Sequence, residues 1–374
     1  MPLALVCLLL APVFARQTAP EDHIANARAA YAAGRYAEAE VQFRAALSSA
    51  EGPAVAEAAV CLAEFYRALG RYREAGPLFT RALGARESEL GAASPKLLPI
   101  LRGMAWNFRA EGRCPEAEAV FLRVLEIREQ SLPPARSLEL IPDLHSLAAL
   151  YQSMNLPEKA EAYYKRALEI REKTLGPRHF DLTIDLNNLA GLYLARKRLA
   201  EAESLYRRSA TLAESTLGSD DPALLPMLDA LAAIYADSQR WPAAEAMLRR
   251  GLALRESGSG PADPEAAPRL DKLGLAMFAQ KRFAEAEALY RRSLAIWEKA
   301  VAADSPALAT ALDNLAAALT SQKKYAEAEK LYRRALAIRG KASAESMNNL
   351  ALILRATGRE AAARRMEARA KSLR

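Results

Sequence analysis

The chain has 374 residues, 51% of them apolar and 26% charged, a balance that suits amphipathic helices and excludes disorder except at the ends. Its formal charge of +7 raises nucleic acid and anionic lipid as partners without establishing either. Three cysteines, Cys7, Cys61 and Cys114, offer no spacing from which a disulfide can be claimed.

Residues 3–14 form an apolar run too short to span a bilayer and broken by Pro12. The run reads as the hydrophobic part of a secretory signal, with Val13-Phe14-Ala15 at the cleavage positions, although no Lys or Arg precedes it. The expectation is a signal peptide over 1–15, a linker over 16–21 and a periplasmic or secreted protein. A hydrophobic tail on a cytoplasmic protein is the alternative.

From residue 22 onward one motif, Ala-Glu-x-Leu-Tyr-Arg-Arg-x-Leu, recurs. Its first Ala stands at 117, 160, 202, 244, 286 and 328, in steps of 43 and then 42 residues, and Ala39, Ala75 and Ala363 mark flanking copies. Nine copies of one supersecondary unit predict stacking rather than an enzyme core. Within the copy over 178–218, Leu182, Leu186, Leu189 and Tyr193 fall on one helical stripe. A basic break at Arg196-Lys197-Arg198 leads to a second periodic run through Ala202, Leu205, Tyr206, Ser209 and Leu212, so the unit is a helix hairpin. Gly218 is expected to end the second helix in the left-handed region, and Asp221-Pro222 to restart the chain with an N-cap and a first-turn proline. Gly34, Gly70, Gly112 and Gly358 mark the turn within the hairpin, where Asn155, Lys197, Gln239, Lys281 and Lys323 stand in the middle copies; these are expected at positive φ.

Packing follows from the same register. Small residues at the marker Ala, and seven residues on at Ala46, Ala82, Ala167, Ser209, Gly251, Ser293 and Ala335, permit close helix approach. A ring three residues before that second site, at Phe43, Phe79, Phe121, Tyr164, Tyr206, Tyr290 and Tyr332, is expected to fill the space between hairpins. Gly258-Ser-Gly-Pro261 reads as a hinge before the last units.

The Leu/Ala/Tyr then Gly/Tyr/Ala/Phe/Ala order resembles the tetratricopeptide repeat. The 42-residue unit with Leu-Asn-Asn-Leu-Ala, Leu186 to Ala190, is similar to the kinesin light chain subtype common in bacterial proteins. The resemblance implies an all-α fold, a right-handed α-solenoid or superhelix of about nine helix-turn-helix repeats over 22–374. It further implies a concave groove lined by the first helix of each hairpin, faced by the polar pair before the helical Leu. Carried across, that pair is His145 with Ser146, Asn187 with Asn188, Asp229 with Ala230, Asp271 with Lys272, Asp313 with Asn314, and Asn348 with Asn349. An amide both donates and accepts, so such a ladder suits the backbone of an extended peptide. The same residues could instead bond across to the next hairpin. Apolar or small groups near them include Ile184, Gly191, Leu194, Ala233, Leu275, Phe278, Ala317 and Leu352.

Chemistry-bearing motifs are absent. There is no His-Glu-x-x-His, Cys-x-x-Cys, phosphate-cradling Gly loop or Gly-x-Ser-x-Gly elbow, and His23, His145 and His179 are scattered over different repeats. The expectation is a non-catalytic scaffold with no cofactor and no metal, whose partner is a protein or peptide. The alternative is a basic solenoid that binds nucleic acid or another polyanion through outer pairs such as Arg207-Arg208 and Arg249-Arg250. Glu203, Glu245, Glu287 and Glu329 precede those pairs at i,i+4 spacing, which suits a solubilising face instead. Glu367 follows Met366 in the last copy, a polarity that fits a solvent-facing cap and a monomer.

Overall fold

The computed structural model describes residues 19–339 and 344–372. The expected signal peptide and residues 16–18 of the linker lie outside the described residues. The rest of the linker is structured: α1 begins at Pro20, with proline in the first turn where a missing N–H costs no hydrogen bond.

Among the described residues there are α-helices, short 3₁₀ turns and no strand. Packing divides the chain between Thr174 and Leu175. The first unit pairs α1 (Pro20–Ala32) with α2 (Tyr36–Ser49), α3 (Ala54–Ala68) with α4 (Tyr72–Leu90), and α5 (Leu98–Ala110) with α6 (Cys114–Ser131). It closes on α7 (Ile141–Ser153) and α8 (Pro157–Leu175). The second unit pairs α9 (Leu182–Ala195) with α10 (Leu199–Leu217), α11 (Leu225–Asp237) with α12 (Trp241–Ser259), and α13 (Ala267–Ala279) with α14 (Phe283–Ala300). Two more pairs follow, α15 (Pro306–Ser321) with α16 (Tyr325–Arg339) and α17 (Ala344–Ala356) with α18 (Glu360–Lys371). Each unit is therefore a stack of antiparallel helix hairpins, the all-α repeat architecture that the period predicts.

The small-meets-large register holds in detail. All nine marker alanines are fully buried, and the seven rings from Phe43 to Tyr332 are buried as well. Tyr290 lies so close to Gly274 that a Cβ there would fall 2.5 Å from a ring carbon, so ring and helix backbone touch directly. Growth of any marker Ala would have to displace a neighbouring helix.

Turns follow the expected chemistry with two corrections. Asn155, Lys197, Gln239, Lys281 and Lys323 all take positive φ, from 55° to 63°. Gly218 differs from expectation: its φ of 93° comes with ψ 165°, an extended left-handed backbone open essentially to glycine alone, not the αL cap. The proline restarts also differ. At Pro95, Pro222 and Pro264 the chain first makes a single 3₁₀ turn, capped by Ser94, Asp221 or Asp263, before the α-helix proper. The Gly258–Pro261 stretch is not a unique break. Gly258 lies within α12, and Gly260, with φ 83° and ψ 167°, repeats the cap that Gly218 makes.

Candidate functional site

First helices of successive hairpins lie against one another, α1 with α3 and α3 with α5 in the first unit, α13 with α15 and α15 with α17 in the second. Side chains at the two adjacent polar positions leave these helices about 100° apart, so one faces the next hairpin and the other the open surface.

The first member of each pair is a junction residue. In the first unit Arg102, at this register, donates two hydrogen bonds to the buried Asp143 carboxylate, both at 2.7 Å. In the second unit Asn187 donates to Met227 Sδ at 3.6 Å, and Asp229 accepts from Arg269 at 2.6 Å. Asp313 accepts from Ser346 at 3.1 Å and pairs with Arg339 at 3.3 Å. Asn187, Asp229 and Asp313 thus bond to neighbouring elements of the stack, while each stays partly exposed. Asp271 has the same place, but the register position that holds Arg269 and Ser346 at the flanking junctions is Ala311 here, which offers no polar partner. One of its oxygens accepts from Trp297 Nε1 at 3.1 Å. The other is buried beside the Ser293 hydroxyl, which is turned toward the Ala267 carbonyl at 3.3 Å. Burial raises the Asp271 carboxyl above its ordinary value, against the opposing pull of the neighbouring Ser293 hydroxyl and of the Trp297 hydrogen bond. Asn348 holds this register in the last hairpin. His145 holds it in α7, its ring 5.7 Å from that of Tyr164.

The second members meet the open surface. Asn188, Asn314 and Asn349 are half-buried, and no described residue hydrogen-bonds their amides; Lys272 is exposed and without an ion pair among the described residues. Ser146 differs, its hydroxyl donating to the Pro142 carbonyl at 2.8 Å. One helical turn away stand Ile184, Leu275 and Leu352, each more than half exposed although large and apolar. Of the expected groove residues, Asn188, Lys272, Asn314 and Asn349 thus carry no hydrogen bond or ion pair among the described residues, whereas Asn187, Asp229 and Asp313 are engaged by neighbouring elements.

Two cavities open on this face at equivalent junctions, one in each unit. In the first unit about 440 Å³ lies among Tyr31, Phe43 and Phe65, rimmed by Arg28, Glu64 and Arg67. In the second unit about 220 Å³ lies among Ala232, Ala236, Trp241, Leu248 and Leu275, with Lys272 and Asp237 at the rim. Lys197 neutralises Asp237 at 2.7 Å.

On the second helices the arginines serve the stack. The first of each pair meets the expected carboxylate, Arg207 with Glu203 and Arg249 with Glu245 at 2.8 Å each, Arg291 with Glu287 at 2.9 Å and Arg333 with Glu329 at 2.6 Å. The same carboxylates also take a cation from the next hairpin: Arg240, Arg282, Lys324 and Arg359 in order. The Arg359 hydrogen bond holds the Glu329 carboxyl below the usual range. The second arginine reaches back to the preceding hairpin. Arg250 bridges Glu214 and the Ser219 carbonyl, Arg292 bridges Glu256 and the Pro261 carbonyl, and in the first unit Arg123 bridges Glu87 and the Ala92 carbonyl. Sequence reading missed this clamp, although a Glu 36 residues before an Arg recurs at Glu214, Glu256 and Glu298. Cys61 and Cys114 are free thiols.

A family model described as tetratricopeptide repeat matches residues 54–130, 141–208, 180–257 and 266–341, and a second so described matches 343–374. The chain belongs to the tetratricopeptide repeat family. No curated protein sequence matches it. Among solved structures, the tetratricopeptide repeat arrangement is similar to nearly identical kinesin light chain repeats from Podosopora anserina, at 24% identity over 56% of this chain and 96% of that one, TM-score 0.48. It is similar to BtubC from P. vanneervenii at 24% identity over 65% and 93%, TM-score 0.47. The apo form of RapI gives 18% identity over 75% and 98%, TM-score 0.47. Among the described residues no group of three His, Cys, Asp or Glu is placed to hold a metal ion, and no helix is long and apolar enough to cross a membrane.

Proposed function

We propose that the chain is a non-catalytic adaptor that holds an extended segment of a partner protein along the open face of its first helices. The observation that carries this reading is the row of unengaged amides at Asn188, Asn314 and Asn349 set among exposed Ile184, Leu275 and Leu352. Amides satisfy a peptide backbone whatever its sequence, and the apolar groups between them receive side chains. Helices held in register by ion pairs order little on binding, so most of the entropic cost falls on the ligand. The polyanion alternative has no such support, because both arginines of each outer pair between Arg249 and Arg292 are already engaged by carboxylates or carbonyls.

The test is capture of peptides from a random display library. Wild type should enrich binders, and Asn188→Ala, Asn314→Ala and Asn349→Ala combined should lose at least tenfold in affinity with helicity unchanged. Equal affinity for the triple variant would exclude the amide row as the binding surface.

A further inference from the structure

Val60 and Cys61 hold in α3 the places that Asn187 and Asn188 hold in α9, so the amide that suits a peptide backbone is missing from this part of the first unit. Cavities open on both sides of the pair instead. One, of about 440 Å³, is walled by Tyr31, Phe43 and Phe65; the other, of about 290 Å³, carries the cations Arg86 and Lys96. Arg28, Val60 and Cys61 line both, so the two chambers adjoin.

The aromatic walls are braced against collapse. The Phe65 ring lies 5.3 Å from that of Phe43 and 5.9 Å from that of Tyr31, and Tyr31 lies 5.6 Å from Tyr36, tilted and edge contacts that hold rings in place. Tyr31 nevertheless stays 40% exposed, so an apolar guest would cover surface that the chain leaves wet. The charges at the divide do not cancel. Glu64 pairs with Arg67 and Glu89 with Arg86, which leaves Arg28 and Lys96 beside the single carboxylate of Glu57, neither of them in an ion pair among the described residues. Arg28 donates to Cys61 Sγ at 3.6 Å, and burial keeps that thiol above its ordinary value, so at neutral pH it carries no charge to offset the guanidinium.

We propose that this pair of chambers binds a small aromatic carboxylate, its ring among Tyr31, Phe43 and Phe65 and its carboxylate on the Arg28 guanidinium. The larger chamber falls within the ~300–1,000 Å³ of small-molecule sites, and because a cavity of about 150 Å³ already holds benzene, it has room for a bicyclic ring. A guanidinium and a carboxylate at an apolar mouth form charge-assisted hydrogen bonds, about twice as strong as those between neutral groups. The assignment is independent of the adaptor reading, whose amides all stand in the second unit.

Calorimetric titration of the full chain with naphthylacetate and with its neutral amide tests the assignment. Wild type should bind the acid at least tenfold more tightly than the amide. Arg28→Gln, at an exposed position that the fold does not depend on, should weaken the acid at least tenfold and leave the amide unchanged. Cys61→Phe, which fills the space where the chambers meet, should abolish binding of both. No binding of the acid by wild type, equal binding of acid and amide, or an Arg28→Gln variant that binds the acid as wild type does would overturn the proposal. Equal affinity for a tripeptide that ends in a free phenylalanine carboxylate would also overturn it, by giving the site to a chain end rather than to a small molecule.

Discussion

Asp271 is the joint at which the repeat register and the chemistry disagree, and Asp271→Asn measures the disagreement. Each neighbouring junction gives this position a partner from the next hairpin, Arg269 for Asp229 and Ser346 for Asp313, whereas Ala311 gives none. A buried polar atom without a partner costs about 1–3 kcal/mol, and more when charged. Asn keeps the shape and an acceptor for Trp297 Nε1 while removing the charge, so we expect about 1 kcal/mol of added stability at pH 7. For a unit of this size that is roughly 2–4 °C in Tm. The sign with pH is fixed by the raised carboxyl. The native state binds the proton more tightly than the unfolded chain, so wild type loses stability relative to Asp271→Asn as pH rises from 3.8 through the folded-state value. The urea midpoints of wild type and Asp271→Asn should therefore differ at pH 7 and converge near pH 4. Ala311→Ser, which copies Ser346, should recover part of the gain. A destabilised Asp271→Asn at pH 7, or an advantage equal at both pH values, would refute the reasoning.

Three further outcomes follow from the turns and clamps. Lys281 holds φ 61° with a side chain that disfavours it; Lys281→Gly should stabilise by about 0.5–1 kcal/mol in thermal unfolding, the relief of strain exceeding the entropy glycine adds to the unfolded chain. Gly218→Ala should cost about 1–3 kcal/mol, whereas Gly258→Ala, inside α12 with open space at its Cβ, should not destabilise. A hinge at Gly258 would reverse that order in limited proteolysis, with Gly258→Ala slowing cleavage. Arg250→Ala should lower the unfolding free energy by about 1 kcal/mol in urea titration, an effect that shrinks in high salt, because Arg250 ties α12 to Glu214 and Ser219.

The repeat, its hairpin form and its packing register were legible because period and residue size act locally and recur: a buried Ala at one spacing and a ring at another leave few alternatives. The five positive-φ residues were legible for the same reason, since glycine marks their place in other copies. The polar pairs were read as one surface because sequence shows neighbours, whereas a helix turns the two side chains to different faces. Only coordinates show that Asp229 meets Arg269 of the next hairpin. The arginine clamps were hidden differently. Each links a residue to one 36 positions away, a spacing that means nothing until the hairpins are stacked.

The most direct measurement is a crystal structure of the full chain with a peptide selected on it. The adaptor account predicts a peptide running across the first helices of the second unit, its backbone within hydrogen-bond distance of Asn188, Asn314 or Asn349. A peptide seated on the second helices, against the Arg249–Arg292 face, would contradict it.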